Sequence, residues 1–332
     1  MSETLHVTNG ESVGLKESGL EGEVLFWNDV LHEGPVPEGL SLDDLSPVRA
    51  RFIASLAFGG YEESSVLKIF EQRNRKIASF SKFREVVLWF EGDLYDQLQL
   101  LQILDWFAGR PLNGTRLALI VVDTYLGMLE PKHLADLYPV RHEVTREEME
   151  LAGRAWKAFR SPDPTGLARL LDEDTSALPL LRSAVRRHLE QFPSPSNGLS
   201  RTERQILEAA EDGRLNVAEL FLEDQRREER IFMGDFVFFN YVRNLAECRV
   251  PPVKLEPKGE SFSGAGVALT PTGRALLSNQ SDHVELNGID RWLGGVHLDP
   301  GHLWRWDAVR RALVPPVEPE ARSPLPSGTI HP

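Results

Sequence analysis

The chain has 332 residues, one cysteine and a formal net charge of −13. The length suits about two domains, and the charge argues against broad non-specific binding to nucleic acid or an anionic membrane. Cys248 has no intrachain partner, no apolar run is long enough to span a bilayer, and the opening MSETLHVTNG has no secretion-signal pattern, so a reducing cytoplasm is the expected setting.

Leu5 to Val7 reads as a first strand ending in Thr8, Asn9 and Gly10, with a short helical piece over about 12–18. Glu23 to Trp27 reads as a second strand running into Asn28 and Asp29, far enough along for a parallel crossover. Ser46 before Pro47 is a helix-start signal, and two helices over about 47–58 and 62–78 are expected to cap the sheet's edge. The segment from Glu85 to Phe107 organises the rest: a continuously apolar run, Val86 to Phe90, turns at Gly92 into a helix apolar on nearly every side. That pairing is what a parallel sheet with both faces covered produces. Leu117 to Val122 is another buried strand ending at Asp123, Pro131 starts a helix, and Val140 to Val144 reads as a last strand. Residues 1–145 thus read as a Rossmann-like α/β domain, a mostly parallel three-layer sheet with helical insertions.

Thr145 and Glu148 form a capping box for a helix through Phe159, and helices over about 164–172 and 177–191 complete a helical extension over 146–192. The segment PSPSNG makes 193–199 the linker. A second capping box, Ser200 and Glu203, opens three helices at about 201–212, 217–229 and 235–247, with Gly213 and Asn216 marking the first break. A hairpin of Val253 to Leu255 with Gly266 to Leu269 follows. Three helices and a hairpin outline a winged-helix-like α+β domain over 200–313, with a terminal strand segment. The proline-rich residues 314–332 are expected to be disordered.

The phrases LHVTNGES, LFWNDVLHEGPVP, WFEGDLYDQLQLLQILDWF and WKAFRSPDPTGLARLL, in that order, resemble the bacterial family called domain of unknown function 1835. LSRTERQILEA and NGIDRWLGGVHL resemble the C-terminal portion that accompanies it. The resemblance implies a shared fold and a bacterial cytoplasmic setting. It brings no catalytic residues, because the family's activity is unassigned.

In parallel sheets, ligands sit beyond the carboxyl ends of the strands. Those ends offer Thr8, Asn9 and Gly10, then Asn28 and Asp29, then Glu91, Gly92 and Asp93, then Asp123. Carboxylates converging on one rim repel one another unless a cation or a donor-rich ligand joins them. The expected ligand is therefore a small polar molecule, such as a nucleotide with Mg2+ or a sugar, with metal-assisted hydrolase or transferase chemistry one outcome. His6 and Asp93 are the catalytic candidates, with His32 also flanking the rim. The bland alternative is that Asp93 caps its helix, Asp96 favours the helix's positive end and Asp29 shapes a turn. Gly10 to Gly14 matches G-x-S-x-G around Ser12, but no earlier strand exists to build the hydrolase sheet, so a turn and helix cap is the simpler role. Arg291 and His297, beside Gly294 and Gly295, could meet an anion, or Arg291 could pair locally with Asp290 in a glycine-kinked hairpin. No HExxH or paired CxxC pattern is present.

The third helix of the winged-helix outline offers Arg243 amid apolar and acidic side chains, so DNA reading is disfavoured. Phe236, Phe238, Phe239, Tyr241 and Val242 read as core. The rival to a ligand-binding enzyme is a non-enzymatic regulatory or adaptor protein whose C-terminal domain meets a protein partner or DNA.

Overall fold

The structure, a computed structural model, describes residues 3–11, 13–211, 215–256 and 261–316. Ser12, Gly213 and residues 317–332, on which expectations above fall, lie outside the described residues.

Strand β1 (Thr4–Thr8) is buried throughout and pairs in parallel with β2 (Glu23–Phe26). A two-residue strand, β3 (Gly34–Pro35), and helices α1 (Leu42–Ser55) and α2 (Glu63–Ala78) lead to β4 (Glu85–Glu91), which pairs in parallel with the other side of β1. Helix α3 (Leu94–Ala108) follows, then β5 (Arg116–Val122), parallel to β4. After α4 (Pro131–Leu137) comes β6 (His142–Glu143), two residues long and antiparallel to β5. The sheet order is β2-β1-β4-β5-β6. Leu5, Val7, Leu88 and Phe90 face the layer holding α1, α2 and α3, whereas Val87 and Trp89 face Leu15 and Leu134 on the opposite side. This is the expected three-layer α/β domain.

Alternation of apolar residues on β4 cannot be seen in the sequence because both of its faces are covered, and all seven of its residues are buried. α3 is enclosed for the same reason, and its polar residues are spent on neighbouring segments. Gln97 Nε2 donates to the Glu91 carbonyl at 2.6 Å, Gln99 Nε2 to the Asp29 carbonyl at 3.1 Å, and Trp27 Nε1 donates to Gln102 Oε1 at 2.9 Å. The loops at the strand ends are thereby fastened to one helix.

Helix α1 begins earlier than the Ser46–Pro47 signal suggests. Ser41 is the cap, its hydroxyl accepting from the Asp44 N–H, and Pro47 lies inside the helix. Ser46 instead turns its hydroxyl back onto the Leu42 carbonyl at 2.9 Å.

Helix α5 (Arg146–Arg160) carries its capping box as expected, and packs against α3. α6 (Thr165–Arg169) and α7 (Leu181–Leu189) are shorter than the sequence suggested, since Pro179 turns the chain just before α7. Residues 193–198 are held in place: Asn197 is fully buried and donates to the Leu276 carbonyl at 3.1 Å, and its own carbonyl accepts from His283. Helices α8 (Arg201–Ala209), α9 (Val217–Arg227) and α10 (Asp235–Glu247) precede the hairpin β7 (Val253–Glu256) and β8 (Gly266–Leu269). Asn216 bridges to Gly266, adding a third short strand position to the wing. This is the smaller winged-helix-like α+β region.

On α10, Phe238, Tyr241 and Val242 are buried, and Phe236 and Phe239 are partly so. The helix lies against the first domain: Asn240 Oδ1 accepts from the Ala57 N–H at 3.0 Å, and Phe239 meets Phe58 edge-on at 5.9 Å.

The chain ends with α11 (Pro271–Leu277), α12 (His283–Asn287), β9 (Arg291–Gly294), β10 (Val296–Leu298), β11 (Arg305–Asp307) and β12 (Ala312–Val314). Val314 is thus in a strand, paired with Arg305, rather than in a tail. β9 returns to the first domain and pairs in parallel with β3. A Cβ on Gly295 would lie 1.8 Å from the Arg160 carbonyl oxygen, so only glycine fits where this strand meets the end of α5. Among the described residues, no helix is long and apolar enough to cross a membrane.

Candidate functional site

Strand order reverses between β1 and β4, because the crossover from β1 places β2 on one side while β4 and β5 extend the other. In open α/β sheets the crevice beyond the strand ends at this point is the usual ligand site. Here it is bridged by side chains. Asn9, one residue past β1, donates from Nδ2 to Asp96 Oδ1 at 2.7 Å and to Glu91 Oε1 at 3.5 Å. Glu91 Oε1 also accepts from the Leu126 N–H at 2.8 Å, and Asp96 Oδ2 from the Glu91 N–H at 2.6 Å. Asp93 caps α3, its Oδ1 accepting from the Asp96 N–H at 3.1 Å.

One ligand atom from each of Glu91, Asp93 and Asp96 can be chosen so that all three lie within 4.8 Å of one another. They are 4%, 6% and 0% exposed. Burial is the main force on all three. It pushes Glu91 up to about 8, with the Asp93 charge adding to the rise, and Asp93 up to about 6 against the pull of the Asp96 and Tyr95 N–H groups. Asp96 is raised well above the usual carboxylate range by burial and then by Asp93 and Glu91. Three carboxyls this close share protons rather than ionise together. Asn9 is 7% exposed, and its Oδ1 has no partner. Its Nδ2 is oriented by the two acids, so the lone-pair end of the amide is left for something else.

These groups line a cleft of about 490 Å³, within the range of ligand pockets of about 300–1,000 Å³. Asn9, Gly10, Asn28, Glu91, Asp93 and Asp96 form its floor, and Tyr95, Tyr125 and Met128 one wall. The other wall comes from the winged-helix-like region, through Phe221, Ile231, Phe232, Met233 and Phe236. Tyr125, Met128 and Ile231 are 45%, 81% and 46% exposed, an apolar rim left open at the mouth.

Of the expected site residues, the structure thus brings Asn9, Gly10, Glu91 and Asp93 together. It places the others elsewhere. The Asp29 carboxylate turns to Arg49, Oδ1 accepting from Nη2 at 2.8 Å and from Nε at 3.0 Å, with both side chains 1% exposed. Its neighbour Asn28 faces the cleft instead. Asp123 accepts from Arg230 Nε at 2.5 Å and Nη2 at 2.9 Å, outside the cleft lining. Thr8 is fully buried one residue behind Asn9, with its Oγ1 unpartnered. His6 does not line the cleft. Its Nδ1 accepts from Trp89 Nε1 at 3.1 Å and its Nε2 donates to the Glu21 carbonyl at 3.3 Å, and burial lowers its pKa. His32 lies behind the wall between Tyr95 and Phe232, fully buried, with its pKa held well below the usual value chiefly by that burial.

Arg291 and His297 are also absent from the cleft lining. Arg291 donates to Glu33 Oε1 at 2.8 Å and to the Tyr241 hydroxyl, which in turn donates to Glu33. Asp290, the local partner considered for Arg291, accepts instead from His297 Nε2 at 2.8 Å, while that imidazole stacks on Trp292. This polar cluster joins β9 and α10 to the loop before β3.

Sequence reasoning paired Asp96 with nothing beyond the helix dipole. It sits three residues after the capping Asp93, which puts it on the turn facing Glu91. The second wall had one signal: Ile231, Phe232 and Met233 are apolar residues in a connection between two helices, where polar ones are usual. No protein-family model matches this chain, and no curated protein matches it.

Proposed function

We propose that the protein binds a hard divalent cation, magnesium being the simplest, together with a small polar ligand in the cleft at the β1–β4 switch point. The observation carrying this reading is the convergence of three buried carboxyls on the lining of the cleft. All three offer oxygen donors, the kind hard cations select. A cation would also offset the burial, and the mutual repulsion second to it, that favour the protonated acids. Such an ion polarises ligand oxygens and sharpens bound water as a nucleophile, which is the basis for metal-assisted hydrolase or transferase activity.

Kinship with the domain of unknown function 1835 belongs to the same proposal: the phrases LFWNDVLHEGPVP and WFEGDLYDQLQLLQILDWF supply Asn28, Glu91, Asp93 and Asp96 to the cleft. The reading assigns DNA no part, and it is supported by the packing of Phe239 and Asn240 of α10 on residues 57 and 58.

Calorimetric titration of the full chain with Mg2+ and with Mn2+ tests the reading. One cation per chain, bound with release of protons and lost in Asp93→Asn, is expected. An isotherm unchanged in Asp93→Asn, or no heat at millimolar cation, contradicts it.

A further inference from the structure

The cleft also says what accompanies the cation. Among the described residues its ionisable side chains are Glu91, Asp93, Asp96 and Asp235 beside two tyrosines, with no lysine, arginine or histidine in the lining. A divalent ion brings two positive charges against four carboxyls, so even with one acid protonated the cleft stays negative. The guanidinium groups nearest by sequence and contact are committed elsewhere, Arg49 to Asp29 and Arg230 to Asp123. Helix α10 points its N-terminus at the cleft, but its first side chain, Asp235, already accepts from the Phe236 N–H at 2.8 Å. A phosphate or carboxylate on the ligand would therefore meet repulsion, with only neutral donors such as the Asn28 and Gln225 amides in the described lining to offset it. The two walls present aromatic and sulfur-bearing surface, from Tyr125 and Met128 on one and Phe232 and Phe236 on the other, which suits a flat ring. Asn9 Oδ1 needs a donor to meet it.

We propose that the ligand is an aromatic or heteroaromatic compound bearing hydroxyl or amino donors and no anionic group. Its donors meet Asn9 and the cation-bound acids, and its ring lies against Tyr125 and Phe236. This rests on the cation reading above for the inner half of the cleft, while the ring contacts do not depend on it.

The test is calorimetric titration of the full chain in saturating Mg2+ with two matched pairs: adenosine against its 5′-monophosphate, and tyramine against 4-hydroxyphenylacetate. In at least one pair the member without the anion is expected to bind about tenfold or more tighter, and Tyr125→Ala, at a half-exposed position, to weaken it by about tenfold. Equal or tighter binding of the anionic members overturns the inference, as does binding of Mg2+ with none of the four compounds bound; in the latter case the cation reading survives. Adenosine or tyramine bound in the absence of any cation site supports the ligand class while refuting the cation reading.

Discussion

Replacing Glu91 with glutamine should stabilise the cation-free protein. The Glu91 carboxyl is 4% exposed and is raised from 4.5 to about 8, chiefly by burial and then by the charge of Asp93. Between those two values the folded state keeps a proton that the unfolded state has released, so stability is lost as pH rises through the window. Each unit of such a shift is worth about 1.4 kcal/mol, and the protons are shared with Asp93 and Asp96, so the penalty at pH 7 is about 1–3 kcal/mol. Glutamine removes the ionisation but keeps an oxygen to accept from the Leu126 N–H, which Glu91 Oε1 meets at 2.8 Å. Glu91→Gln is thus expected to raise the Tm by roughly 2–8 °C at pH 7 in chelator. The gain should grow toward pH 8 and vanish near pH 4.5. Addition of Mg2+ should raise the wild-type Tm and leave the variant unmoved. Thermal melts of both proteins across pH, with and without Mg2+, measure all of this. A variant less stable than wild type at pH 8 in chelator would mean that the carboxylate ionises there without penalty, and the electrostatic argument for the site would fail.

Three further outcomes follow from the packing. Arg49→Leu strands the Asp29 carboxylate in the core and should cost about 3–5 kcal/mol in denaturant unfolding. Gly295→Ala forces a methyl group onto the Arg160 carbonyl and should lower stability by about 3 kcal/mol, read in the same assay. His6→Phe leaves the Trp89 N–H without an acceptor and should cost about 1–2 kcal/mol, with the Mg2+ isotherm unaltered; a lost isotherm would return His6 to the site.

The architecture was legible where one segment determined its own environment. The apolar run Val86 to Phe90, the turn at Gly92 and the cap at Asp93 announced a covered parallel strand feeding a helix, and the strand ends do share one rim. Direction of side chains along that rim was not legible. Asp29 and Asn28 are adjacent, and only the position of Arg49, a helix away, decides that the aspartate turns inward and the asparagine faces the cleft. Asp123 is likewise claimed by Arg230, more than a hundred residues later in the chain. Arg291 read as an anion binder because its partners, Glu33 and Tyr241, come from segments that no local pattern associates. The second wall of the cleft needed the docking of two regions, which spacing does not encode.

The proposed function stands on a cation seated among Glu91, Asp93 and Asp96. Anomalous diffraction from crystals soaked in Mn2+, an oxygen-seeking stand-in for Mg2+, tests it most directly. The expected result is one peak at the carboxyl ends of β1 and β4, within coordination distance of the Glu91, Asp93 and Asp96 carboxylates. Clear density for these side chains with no peak among them, or manganese bound only elsewhere on the acidic surface, would contradict it.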